Sequence, residues 1–117
     1  MQIGELSEAV GLSLRTIRHY DDVGLLPASR TEGGYRVYSE NDLKRMLAIR
    51  TLKPLGFSLE TMRGILDVID AVRADAADID ARDRLRAYTA QIEEKREQMA
   101  LNLERATRLV ADLDELE

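Results

Sequence analysis

Residues 11–38 read GLSLRTIRHYDDVGLLPASRTEGGYRVY, and the fold follows from how this stretch is punctuated. Ser13 suits a helix N-cap, because its hydroxyl oxygen accepts from the unpaired amides of a first turn. Leu14, Ile17 and Tyr20 follow at helical spacing and are expected on the buried side. Gly24 and Pro27 then stop the helix. Ser29-Arg30-Thr31 reads as a short strand, Glu32-Gly33-Gly34 as a turn, and Tyr35-Arg36-Val37-Tyr38 alternates as a second strand. Upstream, Ile3, Leu6 and Val10 recur at helical spacing until Gly11 ends the run, so the link to the next helix is only Gly11-Leu12. Two short helices joined by a glycine-containing turn make a helix-turn-helix, and the hairpin behind them makes it winged.

Downstream, Ser39 caps a third helix, with Asp42 three residues later approximating a capping box. Leu43, Met46, Leu47 and Ile49 form its apolar side, and Pro54 and Gly56 end it near Leu55. Ser58 restarts a fourth helix with Leu59, Met62, Ile65, Leu66 and Ile69 on one face. Residues 71–81, rich in Ala and Asp, read as a linker or a poorly anchored turn. From Arg82 to Leu116 there is neither Gly nor Pro. Leu85, Ile92, Met99, Ala106 and Leu113 stand seven apart, and Tyr88, Lys95, Asn102, Leu109 and Leu116 three beyond them. Leu103 and Val110 widen the stripe. This is a coiled-coil seam on a helix about 50 Å long, with Lys95 and Asn102 as polar inner positions that fix register. A domain this small cannot cover such a seam itself, so the chain is expected to associate with a second copy. The expected organisation is mainly α, with a head at residues 1–70, the linker at 71–81 and a dimerisation helix at 82–117.

Composition narrows the chemistry. The 117 residues contain no cysteine, one histidine and no tryptophan, which excludes disulfides, thiolate metal sites, iron–sulfur clusters and cysteine nucleophiles. No nucleophile–base pair, phosphate-cradling glycine loop or metal constellation appears, so an enzyme is not expected, and neither is a cofactor. The Asp75, Asp78, Asp80 and Asp83 cluster lacks the spacing and glycine of a calcium loop and reads as solvated linker. No apolar run is long enough to span a membrane, and Glu5 and Glu8 interrupt any signal peptide, so a cytoplasmic protein is expected. The net charge of −5 is unevenly divided: residues 1–57 hold 8 Lys+Arg against 7 Asp+Glu, and residues 58–117 hold 9 against 15. The acidity thus belongs to the C-terminal half, leaving the head free to present a basic face.

Five motifs carry a family resemblance: Ile3-Gly4-Glu5-Leu6-Ser7, Thr16-Ile17-Arg18-His19-Tyr20-Asp21, Gly24-Leu25-Leu26, Gly34-Tyr35-Arg36-Val37-Tyr38 and Leu55-Gly56-Phe57-Ser58-Leu59. In this order and spacing the chain resembles the MerR family of bacterial transcription regulators over residues 3–59; beyond residue 70 the likeness is architectural. Gly33 stands where the family usually has Asn, and Pro54 interrupts the end of the third helix. The resemblance implies a homodimer on double-stranded DNA, its winged heads in successive major grooves and its long helices paired antiparallel. It implies a palindromic operator in an over-long promoter spacer, distorted so that RNA polymerase can engage. A coiled-coil interaction module with auxiliary heads is the alternative.

On that reading Ser13, Arg15, Thr16, Arg18 and His19 belong to the helix entering the groove. At least one of Arg15 and Arg18 is expected near a base edge, since a guanidinium reads guanine in bidentate fashion. Arg36 and Tyr38 share one face of the wing strand and are expected to clamp phosphate, with Tyr35 assigned to the core. Arg30, Lys53 and Ser58 are further phosphate candidates, Ser58 through a helix start. Tyr20 and Phe57 are expected in the core. Leu85, Tyr88, Ile92, Met99, Leu103, Leu109, Val110 and Leu113 are assigned to dimerisation. Family sensors of thiophilic metals use cysteines, which are absent here, so the effector stays unknown. The apolar stripe still runs at Leu113 and Leu116, which fits either no C-terminal sensing or a chain cut before an effector domain.

Overall fold

The computed structural model describes residues 1–26, 29–30 and 33–117, with the side chains of Ser29 and Arg30 excepted. The order is α1 (Ile3–Val10), α2 (Leu14–Asp22), β1 (Ser29–Arg30), β2 (Arg36–Val37), α3 (Glu40–Leu52), a single 3-10 turn (Lys53–Leu55), α4 (Leu59–Ala74) and α5 (Ile79–Glu115). Two compact units result, Met1–Asp70 and Ala71–Glu117.

Local chemistry sets the element ends in the first unit. Glu5 accepts from the Gln2 amide at 3.2 Å and opens α1. Gly11, at φ 69°, closes it by donating to the Ser7 carbonyl. Ser13 caps α2 as expected, its oxygen accepting from Thr16 N at 3.1 Å. The Ser39–Asp42 capping box is complete, with Asp42 N donating to Ser39 Oγ at 3.1 Å and Ser39 N to Asp42 Oδ2 at 2.8 Å. Gly24 meets two demands at once. Its φ is 83°, and a Cβ there would stand 3.2 Å from Arg63 Nη2.

The core of this unit is Leu6 and Val10 of α1, Ile17 and Tyr20 of α2, Met46 and Ile49 of α3, and Met62, Ile65 and Leu66 of α4, closed by Leu25, Leu26 and Phe57. Each of the larger apolar side chains contributes about 1.5–3 kcal/mol by leaving water. Leu14, expected on the buried side of α2, is instead 39% exposed. It sits at the first residue of the helix, before the turn that meets the core. The hairpin is minimal, pairing Ser29 with Val37 and Arg30 with Arg36 antiparallel. Polar ties brace the unit: Arg50 donates to the Val10 carbonyl at 2.8 Å, and Arg63 to that of Val23. Arg45 is buried at 5% exposure, donates to the Leu25 carbonyl at 2.9 Å and pairs with Asp70 at 2.6 Å and Asp67 at 3.4 Å.

The second unit is dominated by α5, 37 residues and about 55 Å long. The linker expected at 71–81 is mostly helical: α4 continues to Ala74 and α5 begins at Ile79. Ala is the strongest helix former, and Asp78 caps α5 by accepting from Ala81 N at 3.1 Å, so only 75–78 stay outside a helix. The aspartates expected as solvated linker have local work. Asp75 accepts from Ala77 N at 3.0 Å, Asp80 pairs with Arg84 at 3.4 Å, and Asp83 with Arg86 at 3.3 Å. Among the described residues no helix is long and apolar enough to cross a membrane.

Candidate nucleic-acid interface

Helical geometry divides α2 into two faces. Ile17 and Tyr20 point into the core, while Arg15, Arg18 and His19 are exposed, as is Asp22 one turn beyond Arg18. Spacings of three and four residues put those four on one outward stripe. Ser13 and the half-buried Thr16 stand at its N-terminal end, their hydroxyl oxygens 2.9 Å apart. The stripe therefore offers two guanidinium groups and an imidazole, with a carboxylate at its far end.

The wing flanks the same stripe. An open cleft of about 450 Å³ lies between the start of α1, the outer face of α2 and β2, lined by Ile3, Arg18, Asp22, Tyr35, Arg36 and Tyr38 among others. Arg36 bridges the wing to α2 through Asp21 (Nη1 to Oδ2, 2.9 Å) and Asp22 (Nη2 to Oδ1, 3.3 Å). The bond to Asp22, and then the charge of Asp21, raise the Arg36 pKa above its ordinary value and keep it protonated.

The expected alternation along the wing strand holds, but its sides are exchanged. Arg36 and Tyr38 do share a face, and that face is turned to the carboxylates at the end of α2. Tyr38 is 2% exposed, with its hydroxyl donating to Asp21 Oδ2 at 3.0 Å and its amide to the Met1 carbonyl at 2.7 Å. Tyr35, assigned to the core from sequence, is 71% exposed. A phenol with a carboxylate acceptor inside the fold has no need of solvent, so Tyr38 is the buried one. Burial first, and the Asp21 bond second, raise the Tyr38 pKa. The side chain of Arg30 and the hairpin residues Thr31 and Glu32 lie outside the described residues.

Lys53 and Ser58 both lie on the connection between α3 and α4, and both are exposed. Pro54 sits in the 3-10 turn and Gly56 closes it, its amide donating to the Lys53 carbonyl at 3.1 Å. Ser58 is an N-cap, accepting from Thr61 N at 3.1 Å while its hydroxyl donates to Thr61 Oγ1 at 3.0 Å.

Along α5 the apolar stripe is open. Met99, Leu103, Leu109, Val110 and Leu113 are exposed, and Leu85, Tyr88 and Ile92 are half-buried. Sequence reading missed Arg45, Arg50 and Arg63, whose carbonyl and carboxylate partners show them to be braces of the head.

The comparisons with known proteins agree along the whole length. The family described as MerR HTH family regulatory protein matches residues 1–68, and that described as MerR, DNA binding matches residues 43–116. The chain is 43% identical to the nodulation protein NolA of Bradyrhizobium elkanii, over 75% of this chain and 46% of that protein. It is 37% identical to the HTH-type transcriptional regulator HmrR of Rhizobium leguminosarum bv. viciae, over 81% of this chain and 72% of the relative. Its fold is similar to that of HiNmlR, a MerR family regulator lacking the sensor domain and bound to promoter DNA. There the TM-score is 0.69 at 26% identity, over 90% of this chain and 76% of the other. The chain spans under half the length of the NolA proteins it matches.

Proposed function

The chain belongs to the MerR family of regulatory proteins, and from that premise we propose that it is a transcription regulator binding double-stranded DNA as a homodimer. The observation that carries this is the outward stripe of Arg15, Arg18 and His19 on α2, set beside the wing arginine with the core entirely behind it. Arginine suits both guanine edges and phosphate, so α2 enters the major groove and reads bases through Arg15 or Arg18. Ser13, Thr16 and His19 support that contact from the same helix. Arg36, Lys53 and Ser58 meet phosphate on either side. Tyr35, rather than Tyr38, brings a phenol to the DNA.

The second half of the reading is the open stripe of α5. Leu85, Tyr88, Ile92, Met99, Leu103, Leu109, Val110 and Leu113 form the face that pairs with a second copy. Antiparallel pairing is supported by the charge along the helix. Asp112, Asp114, Glu115 and Glu117 crowd its end, whereas at its start Arg82, Arg84 and Arg86 are balanced by Asp78, Asp80 and Asp83. A parallel partner would set acidic end on acidic end, and an antiparallel one avoids that repulsion. HiNmlR, a MerR family regulator lacking the sensor domain, is bound to promoter DNA, and the likeness of fold supports DNA binding by this chain. Contact with RNA polymerase at a distorted promoter spacer completes the proposal.

Selection of bound duplexes from a random pool at two salt concentrations tests it. A palindromic consensus whose binding falls steeply with salt is expected, reflecting two heads and several phosphate contacts. A folded dimer that enriches no sequence even at low salt overturns the reading.

A further inference from the structure

Asp21 and Asp22 are adjacent in sequence and both bind Arg36, yet their surroundings differ. Asp21 is 13% exposed, and its Oδ2 accepts from both Arg36 and Tyr38. That carboxylate is committed to the fold. Asp22 is 64% exposed, holds Arg36 by a longer 3.3 Å contact and lines the cleft. It also lies on the outward stripe of α2, where Arg15, Arg18 and His19 precede it at seven, four and three residues. The face that the head offers to DNA therefore carries its own anion beside the wing cation.

We propose that Asp22 is a built-in counter-ion for Arg36, a carboxylate that occupies the guanidinium over the cleft until a DNA phosphate replaces it. This deepens the DNA-binding reading and rests on it. Asp21 keeps Arg36 aimed throughout, because its bond does not depend on Asp22. Asp22 is solvated enough to turn into water when phosphate arrives, but its pair with Arg36 must be given up each time a phosphate takes the guanidinium. The device weakens sequence-independent binding, which comes almost entirely from phosphate contacts.

The test measures binding of a random-sequence duplex, which needs no known operator, across a salt series. The proteins are the wild-type chain, Asp22→Asn, Arg36→Ala and the double variant. Asp22→Asn is expected to tighten binding about 3–10-fold at low salt, from removal of the carboxylate that competes with phosphate for Arg36. It steepens the log–log salt dependence by up to about one unit, as one more phosphate contact does. In the Arg36→Ala background the same substitution changes binding little, because the interaction it relieves is gone. Asp22→Ser serves as a second variant with the same expected outcomes. Unchanged or weaker binding in both Asp22 variants overturns the proposal. Equal tightening with and without Arg36 shows a diffuse charge effect and overturns it too. A wild-type chain that binds no duplex at any salt overturns the DNA-binding reading itself.

Discussion

Tyr38 donates its phenolic proton to Asp21 Oδ2 across 3.0 Å, joining the end of the wing strand to the last turn of α2. The bond lies inside the fold and fixes the angle between the two parts of the head that flank the cleft. Removing the hydroxyl while keeping the ring isolates its contribution. Tyr38→Phe is expected to lose about 1.5–3 kcal/mol of stability, the range for a hydrogen bond to a charged group. Urea unfolding checks this; equal midpoints for the two proteins would refute it.

The same bond sets a pH dependence with a definite sign. Tyr38 has its pKa raised, so the folded state holds the phenolic proton more tightly than the unfolded chain does. Its contribution is therefore complete below a pH of about 10, the ordinary tyrosine value, and is lost as pH climbs through the raised value. The wild-type protein should lose stability in that alkaline window by more than Tyr38→Phe does. A variant that loses as much as the wild type would assign the alkaline loss to other groups.

Arg45 is the strongest brace of the head. It is buried, and it serves one carbonyl and two carboxylates at once. Arg45→Ala leaves the buried Leu25 carbonyl without that donor and is expected to cost about 1–3 kcal/mol, the penalty of an unsatisfied buried polar group, since Asp67 and Asp70 keep access to water. Arg45→Met, which keeps the volume and removes the charge, should recover part of this. Thermal unfolding of both variants gives the comparison, and an alanine variant as stable as the wild type would show that Arg45 carries no such load.

On α5, Ile92 and Met99 lie seven residues apart on one face, half-buried and exposed respectively in the single chain. A carboxylate at either position cannot be desolvated in a paired seam without a partner. The double substitution Ile92→Asp with Met99→Asp should leave the helix intact and give a monomer by sedimentation, with high-affinity DNA binding lost alongside. A variant still sedimenting as a dimer would place the contact face elsewhere.

The sequence disclosed these elements where the signal was local. The Ser39–Asp42 box, the Ser13 cap and the seven-residue stripe of α5 each involve neighbours on one helix, so spacing alone reveals them. The alternation of Arg36 with Tyr38 was legible for the same reason. Which of its faces turned inward was not, because that depends on Asp21 and Asp22, 14 to 17 residues upstream. A hairpin paired over two residues has no second layer to impose a sidedness of its own. Arg45 was invisible for a similar cause, its carboxylates standing 22 and 25 residues away. At 71–81 composition announced the break between helices, which the structure confines to 75–78, but not how far α4 and α5 reach into it, since solvated linkers and capped helix starts draw on the same residues.

On the proposed DNA-binding reading, Arg18 and Lys53 separate the two kinds of contact. Arg18 projects from the middle of α2 into the cleft, where a groove-bound helix meets base edges, whereas Lys53 stands on the α3–α4 connection. A guanidinium on a base edge carries sequence information; an ammonium on phosphate does not. Arg18→Ala should therefore cost about 1–3 kcal/mol on the selected duplex and relax the preference at one base pair of each half-site. Lys53→Ala should weaken all duplexes alike and lower the salt slope by about one for each head. Binding measured against the selected duplex and a scrambled one, over a salt series, distinguishes the two. If Arg18→Ala lowered both affinities in proportion, Arg18 would be a phosphate contact and the base reading would fall to Arg15.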